Sequence, residues 1–151
     1  PRSRIKAPEV AWARLEGALA GHWGMSGRGV PQADDAWDSV YLPGRNPLLL
    51  SVAGVFCAAR ELDGVALAIL RGNPFSDATP RFLRLMKTAL SRALGRAIFV
   101  AAPYRSFTKS SLPARVPELR VSETFSCLKP RGKAHCGRCG KCGERELLPA
   151  R

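Results

Sequence analysis

A chain of 151 residues is long enough for one domain with its own core and no dependence on disulfides. Lys and Arg outnumber Asp and Glu 24 to 12, a formal charge of +12, which makes polyanions such as tRNA, nucleotides or pyrophosphate candidate partners, with plain solvation of an arginine-rich surface as the competing explanation. No window holds the 18 consecutive apolar residues of a spanning helix and no signal-peptide pattern opens the chain, so no membrane association is expected and a soluble, cytoplasmic protein is.

Pro8 opens a helical pattern with Trp12, Leu15 and Leu19 on one face, closed by Gly21. Residues 21–38 read as a glycine-rich loop, a candidate lid, and 39–42 as a short extended piece. Asn46 is a good N-cap and Pro47 a good first helical residue, predicting a helix whose body covers 48–62. Leu48, Leu49, Leu50, Val52, Val55 and Phe56 make that helix apolar nearly all round, the mark of burial on several sides. Cys57 within it reads as core packing.

Residues 65–70 and 97–102 are continuous apolar runs and predict buried parallel strands. Between them Thr79-Pro80 caps a helix over 80–94, with Phe82, Leu85, Met86, Ala89 and Leu94 on its apolar face. Strand, helix, strand is a βαβ unit, and it predicts an α/β domain whose ligands gather at the carboxyl ends of the strands, near 71–73 and 103–105. After Thr108, Pro113 and Pro117 limit any helix to one or two turns. An extended piece over 119–124 then leads to Cys127.

Four of the five cysteines follow in the pattern C-x8-C-x2-C-x2-C: Cys127, Cys136, Cys139 and Cys142. Crowded thiols of this spacing predict a metal site in a reducing compartment, and four thiolates make a closed tetrahedral shell suited to a structural zinc. Gly137, Gly140 and Gly143 each follow a cysteine and are expected to permit the tight turns around the ion. An iron-sulfur cluster is the main alternative, although the run lacks the further cysteine-proline of the bacterial ferredoxin arrangement. His135 adjoins Cys136 and could replace one of the ligands, but it reads rather as an exposed neighbour of the site. Lys129, Arg131, Lys133, Arg138, Lys141 and Arg145 surround it, either as phosphate contacts or as solvating charge that offsets the thiolates. Two units are expected: 1–126 as the α/β domain and 127–151 as the four-cysteine tail.

Several motifs in order carry a resemblance to a known family. Tyr41-Leu42-Pro43-Gly44-Arg45-Asn46 enters an apolar helix, and Phe75-Ser76-Asp77 with Pro80 and Phe82 precedes the next one. Ala102-Pro103 is followed by Thr108-Lys109, and Thr124-Phe125-Ser126-Cys127 precedes C-x2-C-x2-C. From about residue 38 to 146 this resembles the 7-cyano-7-deazaguanine synthases of the PP-loop ATP pyrophosphatase superfamily. The resemblance implies a partial Rossmann-like (adenine nucleotide alpha hydrolase-like) parallel sheet with flanking helices and a C-terminal zinc knuckle. It also implies an ATP-dependent ligase that activates the carboxylate of 7-carboxy-7-deazaguanine so that ammonia converts it to the nitrile of the queuosine pathway.

Carried onto this chain, the resemblance makes Cys127, Cys136, Cys139 and Cys142 the zinc ligands. It puts Arg45 and Asn46 near ATP or the deazapurine, and Asp77 and Lys109 near the substrate. Arg45 before a helix start also suits an anion physically, whereas Lys109 reads equally as a solvated lysine and Asp77 as a helix cap. Two departures stand out. The family's S-G-G-x-D-S pyrophosphate loop does not occur in these 151 residues, and the substrate loop is shortened, with Thr79 and Arg81 where an arginine and a glutamate are expected. A fragment, one half of a split enzyme that needs a PP-loop-bearing partner segment, and a diverged paralogue are the three readings this leaves. A homodimer is a further expectation. The alternative from another class is a non-catalytic, zinc-stabilised basic protein that binds RNA or a partner protein.

Overall fold

The architecture, taken from a computed structural model, is described for residues 19–115 and 120–148. The predicted helix opened by Pro8 lies almost wholly outside them. Among the described residues five helices follow in order: α1 (Trp23–Ser26), α2 (Arg45–Ala59), α3 (Pro80–Ala93), α4 (Leu112–Arg115) and α5 (Gly140–Glu146). Two strands, β1 (Gly64–Ala66) and β2 (Phe99–Ala101), pair in parallel with Val65 opposite Val100 and α3 as their crossover. This is the expected α/β arrangement, a small parallel sheet with flanking helices and four cysteines gathered toward the C-terminus.

The strands are shorter than their apolar runs. Beyond Ala66 only single contacts continue, Leu67 N–H to the Ala101 carbonyl and Arg71 N–H to the Phe107 carbonyl, both at 2.9 Å. Nor is the sheet buried on both sides: Phe99 is 56% exposed, with the Lys87 ammonium 4.8 Å from its ring centroid. Gly64 is obligatory at the pairing, because a Cβ there would lie 2.2 Å from the Phe99 carbonyl oxygen.

Helix α2 starts earlier than predicted. Gly44, in the left-handed region at φ 75°, is its cap; Asn46 instead sends its side chain across to the Asp77 carbonyl at 3.0 Å. Pro47 still falls in the first turn, where no intrahelical N–H is lost. Leu50, Gly54 and Cys57 form the buried stripe, and the Cys57 thiol donates to the Gly64 carbonyl at 3.3 Å, as core packing requires. The opposite face is not covered: Leu49, Val52 and Val55 are 50%, 63% and 57% exposed. An apolar helix thus buries one side here, where its composition predicts several.

Helix α3 is capped as expected by Thr79, whose hydroxyl accepts from Phe82 N–H at 3.2 Å, with Pro80 at its first position. Its buried residues are Leu83 and Leu90, with Phe82, Met86 and Leu94 packed beside them. Leu85 faces solvent, because it lies two residues, about 200° of helix, from Leu83. The core formed by Leu50, Ile69, Leu83, Leu90 and Ile98 sits between α2, α3 and the sheet.

Two extended predictions are overturned in favour of single 3₁₀ turns. Residues 37–40 coil because their carbonyls are claimed locally and by α1: Tyr41 N–H bonds the Asp38 carbonyl at 3.2 Å, and the Trp23 indole bonds the Ser39 carbonyl at 2.7 Å. Residues 121–123 coil and present the Val121 carbonyl to the Arg145 guanidinium.

Candidate metal centre

A tight hairpin brings the cysteines together. Arg131 and Ala134 exchange both backbone hydrogen bonds at 3.0 Å, which turns the chain so that Cys136 returns beside Cys127. Cys139 then caps α5, and Cys142 follows one turn later, its N–H bonded to the Cys139 carbonyl at 2.8 Å. The four sulfurs all lie within 4.8 Å of one another. Cys139 Sγ is 3.5 Å from Cys142 Sγ and 4.0 Å from Cys127 Sγ, and Cys136 and Cys142 are 3.8 Å apart.

These separations fit one ion. A tetrahedral shell with metal–sulfur bonds of about 2.3 Å has sulfur–sulfur edges of about 3.8 Å, whereas a disulfide needs about 2.05 Å. A cluster of several irons would hold its thiolates farther apart than a single ion does. Three amides point at sulfur as thiolate ligation requires: Cys136 N–H to Cys127 Sγ at 3.3 Å, Leu128 N–H to Cys139 Sγ at 3.4 Å and Cys139 N–H to Cys136 Sγ at 3.4 Å.

Backbone amides and burial together divide the thiols. Hydrogen bonds from the Arg138 and Cys139 backbones lower Cys136 to about 6. Burial pushes Cys139 up, but the Leu128 and Cys142 amides outweigh it and leave the thiol lowered. Cys142, buried and beside the Cys139 sulfur, is pushed up to about 12. A metal ion binding here at neutral pH must displace a proton from Cys142.

Residues 30–33, predicted as part of a lid, pack against the centre instead. Val30 is buried on Cys139 and Cys142, Gln32 forms a bridge with Cys139, and Gly140 N–H bonds the Pro31 carbonyl at 3.0 Å. This contact explains two glycines better than turn-making does. A Cβ on Gly140 would meet the Gln32 carbonyl at 3.2 Å, and one on Gly143 would meet Ala33 Cβ at 2.8 Å. Only Val30-Pro31, an apolar pair inside a polar loop, signals the contact in the sequence.

His135 packs tilted against Phe125, ring centroids 4.4 Å apart, with its Nδ1 4.0 Å from Cys142 Sγ, a neighbour and not a ligand. The cations divide into separate roles. Lys129, Arg131 and Arg138 line a cavity of about 360 Å³ against Cys136 and Cys139, while Arg145 ties α5 to Thr124 Oγ1 at 2.5 Å.

Of the other singled-out residues, Arg45, Asn46 and Asp77 come together. Asp77 Oδ2 accepts the Asn46 amide at 3.3 Å, and Arg45 Nε donates to Asn46 Oδ1 at 3.4 Å. Asp77 therefore caps α2 from another element, and its buried Oδ1 has no partner among the described residues. Lys109 does not join them. Its ammonium is 2.6 Å from Glu144 Oε2, and Glu144 Oε1 takes Lys141 at 2.5 Å. Burial raises the Glu144 carboxyl, but the hydrogen bonds from Lys109 and Lys141 outweigh it and hold it below its ordinary range. Sequence reasoning missed Glu144, whose one signal is its spacing of three from Lys141 on a helix.

Comparison with known proteins identifies the family. Residues 24–147 match the family described as queuosine biosynthesis protein QueC. A 7-cyano-7-deazaguanine synthase of Rhizobium johnstonii is 31% identical over 95% of this chain and 65% of its own length. One of Brucella ovis is 36% identical over 75% of this chain and 51% of its own length. The chain thus spans between about half and two thirds of these curated relatives. The chain belongs to the QueC family.

Proposed function

We propose that this QueC-family chain is the metal-bearing part of a 7-cyano-7-deazaguanine synthase, an ATP-dependent ligase that converts 7-carboxy-7-deazaguanine and ammonia to the nitrile. The observation that carries the reading is the family match over 24–147 together with a four-thiolate centre of single-ion geometry inside it. Cys127, Cys136, Cys139 and Cys142 would hold zinc, whose closed shell supplies no reactive position and serves to fix the tail. Arg45 and Asn46 would contact ATP or the deazapurine at the start of α2, and Asp77 and Lys109 would lie toward the substrate.

Pyrophosphate chemistry needs a loop of backbone amides around the phosphates, and none of these 151 residues spells the family's S-G-G-x-D-S. In this reading that loop belongs to a further segment. What supports it is the uncovered face of α2 at Leu49, Val52 and Val55 and a sheet of two strands among the described residues, since parallel sheets are stable when covered on both faces. The test is ATP consumption with 7-carboxy-7-deazaguanine and ammonia, with and without an added segment that carries S-G-G-x-D-S. Turnover that requires the added segment is the expected result, and no turnover in either case would overturn the proposal.

A further inference from the structure

The cysteine knuckle is more basic than its metal centre requires. From Thr124 to Gly143 the chain holds five cations, Lys129, Arg131, Lys133, Arg138 and Lys141, and no carboxylate. Lys141 is taken by Glu144 at 2.5 Å. The other four are exposed and have no carboxylate partner among the described residues. A divalent ion in four thiolates carries two negative charges, and three amides already point at the sulfurs. Four cations therefore exceed what the centre needs, and a surplus held on one small surface attracts polyanions.

The placement of these cations narrows the partner. The Arg131–Ala134 pair closes a two-residue turn with Gly132 at φ 59°, which puts Lys133 at its tip. Lys129 and Arg131 from the first arm, and Arg138 from the turn between Cys136 and Cys139, converge on the cavity of about 360 Å³. No carboxylate lines it, and Val30 and Pro130 give it an apolar wall. A recess of this size takes one small unit such as a nucleotide, whereas a duplex keeps its bases stacked inside. On the same knuckle His135 lies against Phe125, whose ring is more than half exposed, a surface of the kind on which unpaired bases stack. We propose that the knuckle binds single-stranded nucleic acid, with phosphates on Lys129, Arg131, Lys133 and Arg138 and an unpaired base on Phe125. This binding goes beyond the function proposed above and requires neither ATP nor turnover.

The test is fluorescence anisotropy of labelled oligouridylate and oligothymidylate, each about twelve nucleotides long, titrated with the metal-loaded chain. The logarithm of affinity should fall against the logarithm of salt concentration with a slope of about −2 to −3, as three or four phosphate contacts on a single strand require. Arg131→Gln, Lys133→Gln and Arg138→Gln, each checked to retain one metal ion per chain, should weaken binding several-fold and each reduce the slope by about 0.7. Phe125→Ala should weaken it at least about fivefold with the slope unchanged. Arg84→Gln and Arg92→Gln, exposed on α3, remove the same charge elsewhere and should change binding by less than about twofold. Tighter binding of oligouridylate makes the ligand RNA, and equal or tighter binding of oligothymidylate makes it single strands of either kind. Losses from the α3 variants as large as those from the knuckle variants would overturn the site. So would binding insensitive to salt, no effect of Phe125→Ala, or competition by inorganic polyphosphate or a duplex as strong as by the unlabelled oligomer.

Discussion

The Asp77 carboxylate accepts the backbone amide of Asn46 across 31 residues of chain, at 3.3 Å. Asn46 answers with its own side-chain amide to the Asp77 carbonyl at 3.0 Å. A carboxylate at the start of a 15-residue helix satisfies an otherwise orphaned N–H and opposes the positive end of the helix dipole. Asp77→Ala should therefore lower the stability of the folded chain by about 1–3 kcal/mol in urea denaturation, because it removes a charged acceptor and leaves a buried donor unpaired. Asp77→Asn, which keeps an acceptor, should cost about half as much. Equal losses for the two would show that a neutral acceptor contributes nothing, and no loss for Asp77→Asn would show the same of the charge.

The uncovered face of α2 separates stability from assembly. Val52 and Val55 are more than half exposed, so Val52→Ser and Val55→Ser should each change the unfolding free energy of the isolated chain by no more than about 0.5 kcal/mol. Leu50, fully buried on the other face, should lose about 2–5 kcal/mol on substitution by Ala. If a further segment covers the exposed face, the serine variants should weaken productive assembly with it while leaving the isolated chain intact, measured by turnover against segment concentration.

Contact between Gly143 and Ala33 gives a third test, specific to how the loop 30–33 seats on the metal centre. Gly143→Ala puts a methyl 2.8 Å from Ala33 Cβ, an overlap that should cost about 1–3 kcal/mol. Ala33→Gly removes the opposing atom. The double variant should recover most of that loss in thermal unfolding, a coupling that two independent sites would not display.

Metal affinity should depend on pH with a fixed sign. With Cys142 pushed up to about 12, it is protonated in the metal-free chain throughout pH 7–9, and each binding event releases at least that proton. Affinity then rises at least about tenfold per pH unit over that range, measured by competition against a chelator with its own pH dependence subtracted. Cys136, held at about 6, is already a thiolate there and adds nothing to the slope.

Local signals carried much of this structure in the sequence. Thr79-Pro80 marked the start of α3, the apolar runs marked the parallel pair, and cysteine spacing marked the metal centre, since each depends on neighbours within a few residues. Elements set by distant partners were not legible. Asn46 read as a cap but is drawn away by Asp77, and the 3₁₀ turns at 37–40 and 121–123 are held by Trp23 and Arg145. The apolar composition of α2 predicts cover on several sides, which one face of the described fold lacks. In the site, Glu144 escaped notice because a carboxylate between two lysines on a basic surface looks like ordinary charge balance until the fold brings Lys109 to it. Of the glycines after the cysteines, Gly137 makes the left-handed turn expected of it, at φ 73°, whereas Gly140 and Gly143 make room for residues 31–33, a partner more than a hundred positions away.

X-ray absorption of the protein purified without oxygen tests the metal assignment most directly. About one zinc per chain with four sulfur neighbours at about 2.3 Å is the predicted result. Iron in its place, or a shell that includes nitrogen or oxygen, would contradict it.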